Sequence, residues 1–431
     1  MKRFAVTLLA VCFTGILYAQ VNFNSLDEVL QYADKNSVVT QQSQLQKAIS
    51  KKEETINKSS LLPKLNLFGT ADYYPILTSQ LIPEAIFGGS PDKFRKVQFG
   101  LPYSFSSGIE LTVPVINFEK WEQLKRYKLQ SQQTAWNTKV NEENLRIQLV
   151  QYYYQALVFR ELIKLNASNL DVSGQLMKIL EQRKSNGVLN PADFNRSKNL
   201  QLDIQSAGYE SEKSYNLALI VLHQLLNLQD SVVIHINDSL GTASWMGIPS
   251  AISIQQRPAW QEADLKMKVA EQQLKETQKA ALPKIAFNSK YTYQWQMKPS
   301  ASQHINFDYS NIGLRLDFPI FQGNFYRATR EKNELQWQLA KTVQQQVMND
   351  LTRQQSEWWN GFHTAEKKFA VSQQKVIVAT DNLRIAQLNM KEGVMEFDEF
   401  NTIFQEYNKA KLDYLQNLND GMVYQLLLTL K

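Results

Sequence analysis

What most constrains this chain is a hydrophobic repeat of period 3.5 that runs, free of proline, from Glu119 to Asn186. Its apolar or small positions are Leu145, Leu149, Tyr152, Ala156, Phe159, Ile163, Asn166, Leu170, Ser173, Met177 and Leu180. Such spacing belongs to a helix supercoiled against a partner. At about 1.5 Å per residue the helix runs on the order of 100 Å. The chain turns at Gly187-Val188-Leu189-Asn190-Pro191 and returns as a second helical run to Leu228.

The same pattern recurs further on. Leu351, Gln355, Trp358, Phe362, Ala365, Phe369, Ser372, Val376, Ala379, Leu383 and Ala386 hold the same heptad phase, and Gly393-Val394-Met395-Glu396-Phe397 repeats the turn. Ala156 and Phe159 trade size with Phe362 and Ala365, as two quasi-equivalent packing layers of constant volume would. The reading is an internal twofold repeat of very long helical hairpins.

Each repeat opens with a shorter helix, over Ser25 to Ser60 in the first and from Pro258 in the second. Each then passes Leu-Pro-Lys (Leu62-Pro63-Lys64, Leu282-Pro283-Lys284) into strands. Strands are expected at 64–74, 97–113, 284–296 and 305–318. Ile285, Phe287, Tyr291, Tyr293 and Trp295 alternate with polar residues; Ile312, Leu314, Leu316 and Phe318 alternate with Gly313, Arg315 and Asp317. Period-two alternation with aromatics at one end suits a strand between lipid and water; an antiparallel sheet on a soluble core is the other reading. No apolar run past the N-terminus reaches the roughly 18 residues of a spanning helix. Four strands cannot close a barrel, and lipid tolerates no open edge, so a membrane reading requires several copies.

The N-terminus carries Lys2-Arg3, an apolar run from Phe4 to Leu17, and Ala19-Gln20, the order of a cleavable export signal over 1–19. The repeats are then 20–228 and 254–431, joined by a linker or equatorial segment at 229–253. The only cysteine, Cys12, lies in the leader, so disulfides and Cys-based metal sites are excluded once it is removed. Net charge is +6, and losing Lys2 and Arg3 with the leader leaves +4. Signs alternate along the helices, as in Glu142-Glu143-Asn144-Leu145-Arg146, which describes a solvated face and no nucleic-acid stripe.

The leader, Leu-Pro-Lys before a strand, the endings Val113-Pro114-Val115 and Phe318-Pro319-Ile320-Phe321, and the two glycine turns resemble the TolC-like outer membrane efflux protein family over nearly the whole mature chain. The resemblance implies a mainly α fold with transmembrane β: a homotrimer sharing one twelve-stranded barrel in outer-membrane lipid and a tunnel of long helices in the periplasm. It implies the passive exit duct of a tripartite efflux pump or type I secretion system, working with a periplasmic adaptor protein and an inner-membrane transporter. An exported coiled-coil scaffold without channel activity is the alternative.

The family's tip pattern is a glycine followed about six residues later by an acid and an apolar residue. Gly187 with Asp193 and Phe194, and Gly393 with Glu399 and Phe400, match it, and Pro191 opens the returning helix. Of these, Gly187, Pro191, Asp193, Phe194, Gly393 and Phe400 are the adaptor-binding candidates. A further acid usual near the second tip is replaced by Thr402, so Glu392, Glu396, Asp398 and Glu399 are the candidates for a periplasmic gate. A ring of carboxylates at a narrow mouth favours cations.

Enzyme chemistry finds little support. His223, His235, His304 and His363 are far apart with no ligand spacing, and no phosphate loop, nucleophile elbow or dinucleotide fingerprint occurs. No cofactor is expected. Trp358-Trp359 reads as packing. The cargo is not encoded in any motif.

Overall fold

The computed structural model describes residues 20–241, 247, 249–250, 252–298 and 303–429; the leader expected over 1–19, Cys12 included, lies outside them. Fifteen helices and strands follow in the order β1 (Gln20–Phe23), α1 (Leu26–Asn36), α2 (Val38–Ser59), β2 (Lys64–Tyr73), β3 (Ser79–Pro83), β4 (Phe94–Gln98), β5 (Tyr103–Ile116), α3 (Phe118–Ser185), α4 (Pro191–Leu225), β6 (Val233–Ile236), α5 (Pro258–Ala280), β7 (Lys284–Lys298), β8 (Gln303–Asp317), α6 (Phe325–Glu392) and α7 (Phe397–Thr429). Both α3 and α6 have 68 residues. The chain forms two compact units: Met1–Lys47 with Ala135–Glu262 and Gln345–Lys431, and Ala48–Thr134 with Ala263–Gln344.

In the first unit the heptad reading meets the burial pattern directly. None of the positions singled out from Leu145 to Leu180 or from Leu351 to Ala386 is exposed. Ala156 and Phe362 are fully buried, and Gly361 lets α6 approach α7 so closely that a Cβ there would meet the Tyr424 ring at 2.5 Å. One core gathers Val29, Leu149, Tyr153, Leu157, Leu222 and Leu226 with Ile234 and Ile236 of β6. The linker segment is tied to this core: β6 pairs in parallel with β1, Arg160 of α3 donates to the Ile236 and Asp238 carbonyls, and the Tyr153 hydroxyl donates to Asp238 at 2.7 Å.

The expected single helix over Ser25–Ser60 is two. Ser37 adopts an extended conformation; its N–H closes α1 on the Ala33 carbonyl, and its hydroxyl accepts from Thr40 N at 3.1 Å to start α2. A serine that can cap in both directions breaks the helix without glycine or proline.

The second unit holds an antiparallel sheet in the order β2-β5-β7-β8 and a β3–β4 hairpin. The expected strand over 97–113 is divided: β4 ends at Gln98, Gly100 takes φ +90, and β5 begins at Tyr103 after Pro102. Left-handed backbone at Gly100 interrupts the strand, and pairing resumes in the same direction from Tyr103. β5 also runs past Pro114 to Ile116, through a register shift between these two residues. A proline inside a sheet is tolerated at such an irregularity, where no ladder N–H is needed.

Register sorts the sheet into two faces. One carries Leu65 and Leu67 of β2, Ile109, Leu111 and Val113 of β5, Ile285 and Phe287 of β7, and Ile312, Leu314 and Leu316 of β8. The other carries Lys64, Asn66, Glu110, Asn288, Lys290, Asn311 and Arg315. The apolar face is open, with Leu67 82% and Ile312 73% exposed. Toward the Lys298 end of β7 it ends in Tyr291, Tyr293, Trp295, Phe105, Tyr103 and Tyr73. A charge-free apolar band capped by aromatics is what a strand presents to lipid and its interface. Among the described residues no helix is long and apolar enough to cross a membrane.

Candidate functional site

The helix turns are built alike. At the first, Gly187 takes φ +71 while its N–H and that of Val188 return to the carbonyls of Lys184 (3.1 Å) and Arg183 (3.0 Å). At the second, Gly393 takes φ +82 and Val394 N donates to the Asn389 carbonyl at 3.0 Å. These bonds satisfy terminal carbonyls and need a left-handed residue, which glycine supplies without steric cost. Asn190 caps the returning α4 through a bond from Ala192 N at 2.9 Å, with Pro191 at the first helical position. Both turns push a valine into solvent: Val188 is 79% and Val394 75% exposed.

Beneath the turns one core joins both hairpins, formed by Leu176, Leu180, Leu200, Met390, Phe397 and Phe404 among others. Phe400 belongs to this core at 1% exposure, stacked on Phe404 with centroids 6.2 Å apart. It was expected on the docking surface; instead it holds the hairpins together. The apolar residue on the outgoing side of α7 must face inward because Phe397, Phe400 and Phe404 share one helical stripe. Phe194, by contrast, is half-buried, with the Lys184 ammonium 4.0 Å from its ring.

Two arginines that the sequence pattern does not single out connect the turns. Arg183, in the last turn of α3, donates to the carbonyls of Met390 and Met395, on either side of the second turn. Arg196 of α4 reaches Asp398 at 2.8 Å and Asp193 at 3.4 Å. The only sequence signal for them is Arg196 placed three residues after Asp193. All four gate candidates are exposed, and Asp398 among them is ion-paired to Arg196. Thr402 returns its hydroxyl to the Asp398 carbonyl at 2.9 Å and contributes no charge. Among the described residues no group of three or more His, Cys, Asp or Glu is placed to hold a metal ion.

A sheet with one open apolar face, in a chain whose long helical hairpins end in paired glycine turns, is the architecture to compare with known proteins. Residues 251–420 match the family model described as outer membrane efflux protein. The match covers that part of the chain, which takes in β7, β8 and the second long helical hairpin up to residue 420. The fold is shared with solved structures. CusC superposes with a TM-score of 0.78 at 14% identity, covering 94% of this chain and 90% of that one. VceC of Vibrio cholerae gives 0.74 at 13%, covering 94% of each. MtrE of Neisseria gonorrhoeae, solved as an open-state outer membrane channel, gives 0.69 at 15%, covering 94% and 89%. No curated protein sequence matches the chain.

Proposed function

We propose that this protein is the outer-membrane exit duct of a tripartite efflux or secretion system, assembled as a homotrimer. It provides a passive path outward for solutes handed over by a periplasmic adaptor and an inner-membrane transporter. One observation carries the reading: the sheet β2-β5-β7-β8 has an open apolar band on one face but two unpaired edges, β2 and β8. Lipid does not admit open sheet edges, so β8 of one copy pairs with β2 of the next. An even number of antiparallel strands per chain makes that seam antiparallel as well, and three copies give a twelve-stranded closed barrel. The hairpins of the three copies form the periplasmic passage.

The paired turns are the inner mouth. Exposed Val188 and Val394, with Gly187, Gly393, Pro191 and Phe194, form the adaptor-facing surface. Arg196 holds Asp193 and Asp398 together, and Glu392, Glu396 and Glu399 add negative potential that favours cations. Cargo is not discriminated by the duct; selection belongs to the transporter.

The test is direct. Outer-membrane fractions run unboiled should give a heat-modifiable trimer, and the purified protein should conduct ions in planar bilayers. A monomer recovered without detergent, with no conductance, would instead identify an exported scaffold.

A further inference from the structure

The two sides of β8 exchange character midway. From Ile312 to Leu316 its apolar residues lie on the lipid-compatible face. Between Gln303 and Ser310 that face carries His304, Asn306, Asp308 and Ser310, while Ile305, Phe307 and Tyr309 lie on the opposite, water-facing side. There they are 55%, 44% and 50% exposed. Their cross-strand neighbours on β7 are Gln296, Gln294 and Thr292, which are polar. Gln294 is engaged with the Ser104 hydroxyl at 2.8 Å, and the Gln296 side-chain oxygen accepts from Leu101 N at 3.3 Å. The rings of Phe307 and Tyr309 lie side by side, with centroids 6.5 Å apart.

A row of half-exposed apolar side chains on a water-facing surface needs a cover. Its own sheet offers polar partners, and the row stands on an edge strand. The other edge strand, β2, carries an aromatic residue on the same face. Phe68 shares the row of Gly108, Thr292 and Tyr309, and its ring lies over Gly108, where a Cβ would meet it at 2.9 Å. The Lys290 ammonium lies 4.3 Å from the same ring.

We infer that Ile305, Phe307 and Tyr309 pack on β2 of a second copy, around its Phe68, and clasp the seam between protomers on the water side. The inference rests on the shared-barrel reading and adds the surface that locks it. Cross-strand aromatic pairs stabilise adjacent strands, and these rings gain such pairing only when β8 has a neighbour on its free edge.

Disulfide trapping tests it. In a Cys12→Ser background, Phe307→Cys is combined in turn with Asn66→Cys, Phe68→Cys, Thr70→Cys or Asp72→Cys. Within one chain β2 and β8 are separated by two strands, about 14 Å at the usual interstrand spacing, beyond the roughly 7 Å a disulfide spans between Cα atoms. Any cross-link is therefore between copies. Covalent dimers and trimers with one or two adjacent β2 positions are expected. Unboiled gels of the same variants separate the two claims. An oligomer without any cross-link would overturn the clasp alone, and absence of the oligomer would remove the barrel reading together with it. In addition, Phe307→Ala with Tyr309→Ala should lower the temperature at which the oligomer dissociates by several degrees, with single-channel conductance unchanged. Raised conductance at an unaltered dissociation temperature would mean that the rings line the passage, and would also overturn the clasp.

Discussion

Arg257 and Glu143 meet with Nη2 2.7 Å from Oε1, their side chains 9% and 10% exposed. A second bond joins Nε to the same oxygen at 3.2 Å, Gln354 accepts from Nη1 at 2.8 Å, and the guanidinium lies 4.9 Å from the Trp358 ring. Removing one charge strands the other in a dry setting. Arg257→Ala should cost about 3–5 kcal/mol in denaturant unfolding, whereas the paired change Arg257→Met with Glu143→Leu should recover most of it. An undiminished midpoint in Arg257→Ala would show that the pair is solvated in practice.

At the turns, Arg183 serves main-chain carbonyls, so its loss leaves acceptors unmade in the second hairpin. Arg183→Met should destabilise that turn by about 1.5–3 kcal/mol, read as faster amide exchange over residues 389–397. Arg183→Lys should rescue only in part, because a single ammonium cannot reproduce the two-nitrogen fork. Exchange unchanged in Arg183→Met would remove this arginine from the link.

The Arg196–Asp398 pair is exposed on both sides, and its contribution to stability should stay below about 1 kcal/mol. In the proposed duct its effect is on the inner mouth. Asp398→Asn and Arg196→Gln should each change channel conductance or cation selectivity, in a way that high salt weakens. Adding Glu399→Gln should lower cation preference further. Identical current records for all three variants would exclude these residues from the gate.

Tyr153 and Tyr154 set a pH limit. Burial, then the neighbouring Asp238 carboxylate, hold the Tyr153 hydroxyl well above its usual range, and burial pushes Tyr154 up to about 12. Phenols that ionise later in the folded state stabilise it fully below their unfolded value of 10.0, and this contribution is lost as pH rises above 10.0. Urea midpoints should therefore be flat from pH 8 to 9.5 and fall between 10 and 12. Tyr153→Phe with Tyr154→Phe should flatten much of that fall; an unaltered slope would assign it to other groups.

Replacing Gly187 or Gly393 by Val forces a branched side chain into left-handed backbone, at about 1–2 kcal/mol. At Gly393 the new Cβ would also lie 3.5 Å from the Arg183 guanidinium. Barrel insertion should survive and adaptor-dependent efflux should drop; full efflux in both variants would separate these turns from docking.

The long hairpins were legible because helix packing writes a period into the sequence, and Leu145 through Ala386 follow it in burial. The alternation that sets Ile285, Phe287 and Tyr291 on one face of the sheet was legible for the same reason. What escaped depends on local backbone or on distant pairing. Ser37 ends one helix and starts another through a hydroxyl, and Gly100 divides a stretch whose alternation continues across it. Arg183 and Arg196 act across more than 200 positions, through a register that no local window contains. Phe400 fits the turn motif, yet its neighbours Phe397 and Phe404 fix its direction, and only packing reveals that.

β1 acquires its hydrogen-bonded partner only at Val233–Ile236, far along the chain. Ordering so wide a loop is slow, and parallel pairing gains nothing until both strands exist. The earliest described residues to be synthesised are thus among the last to settle, waiting for a strand from the middle of the chain.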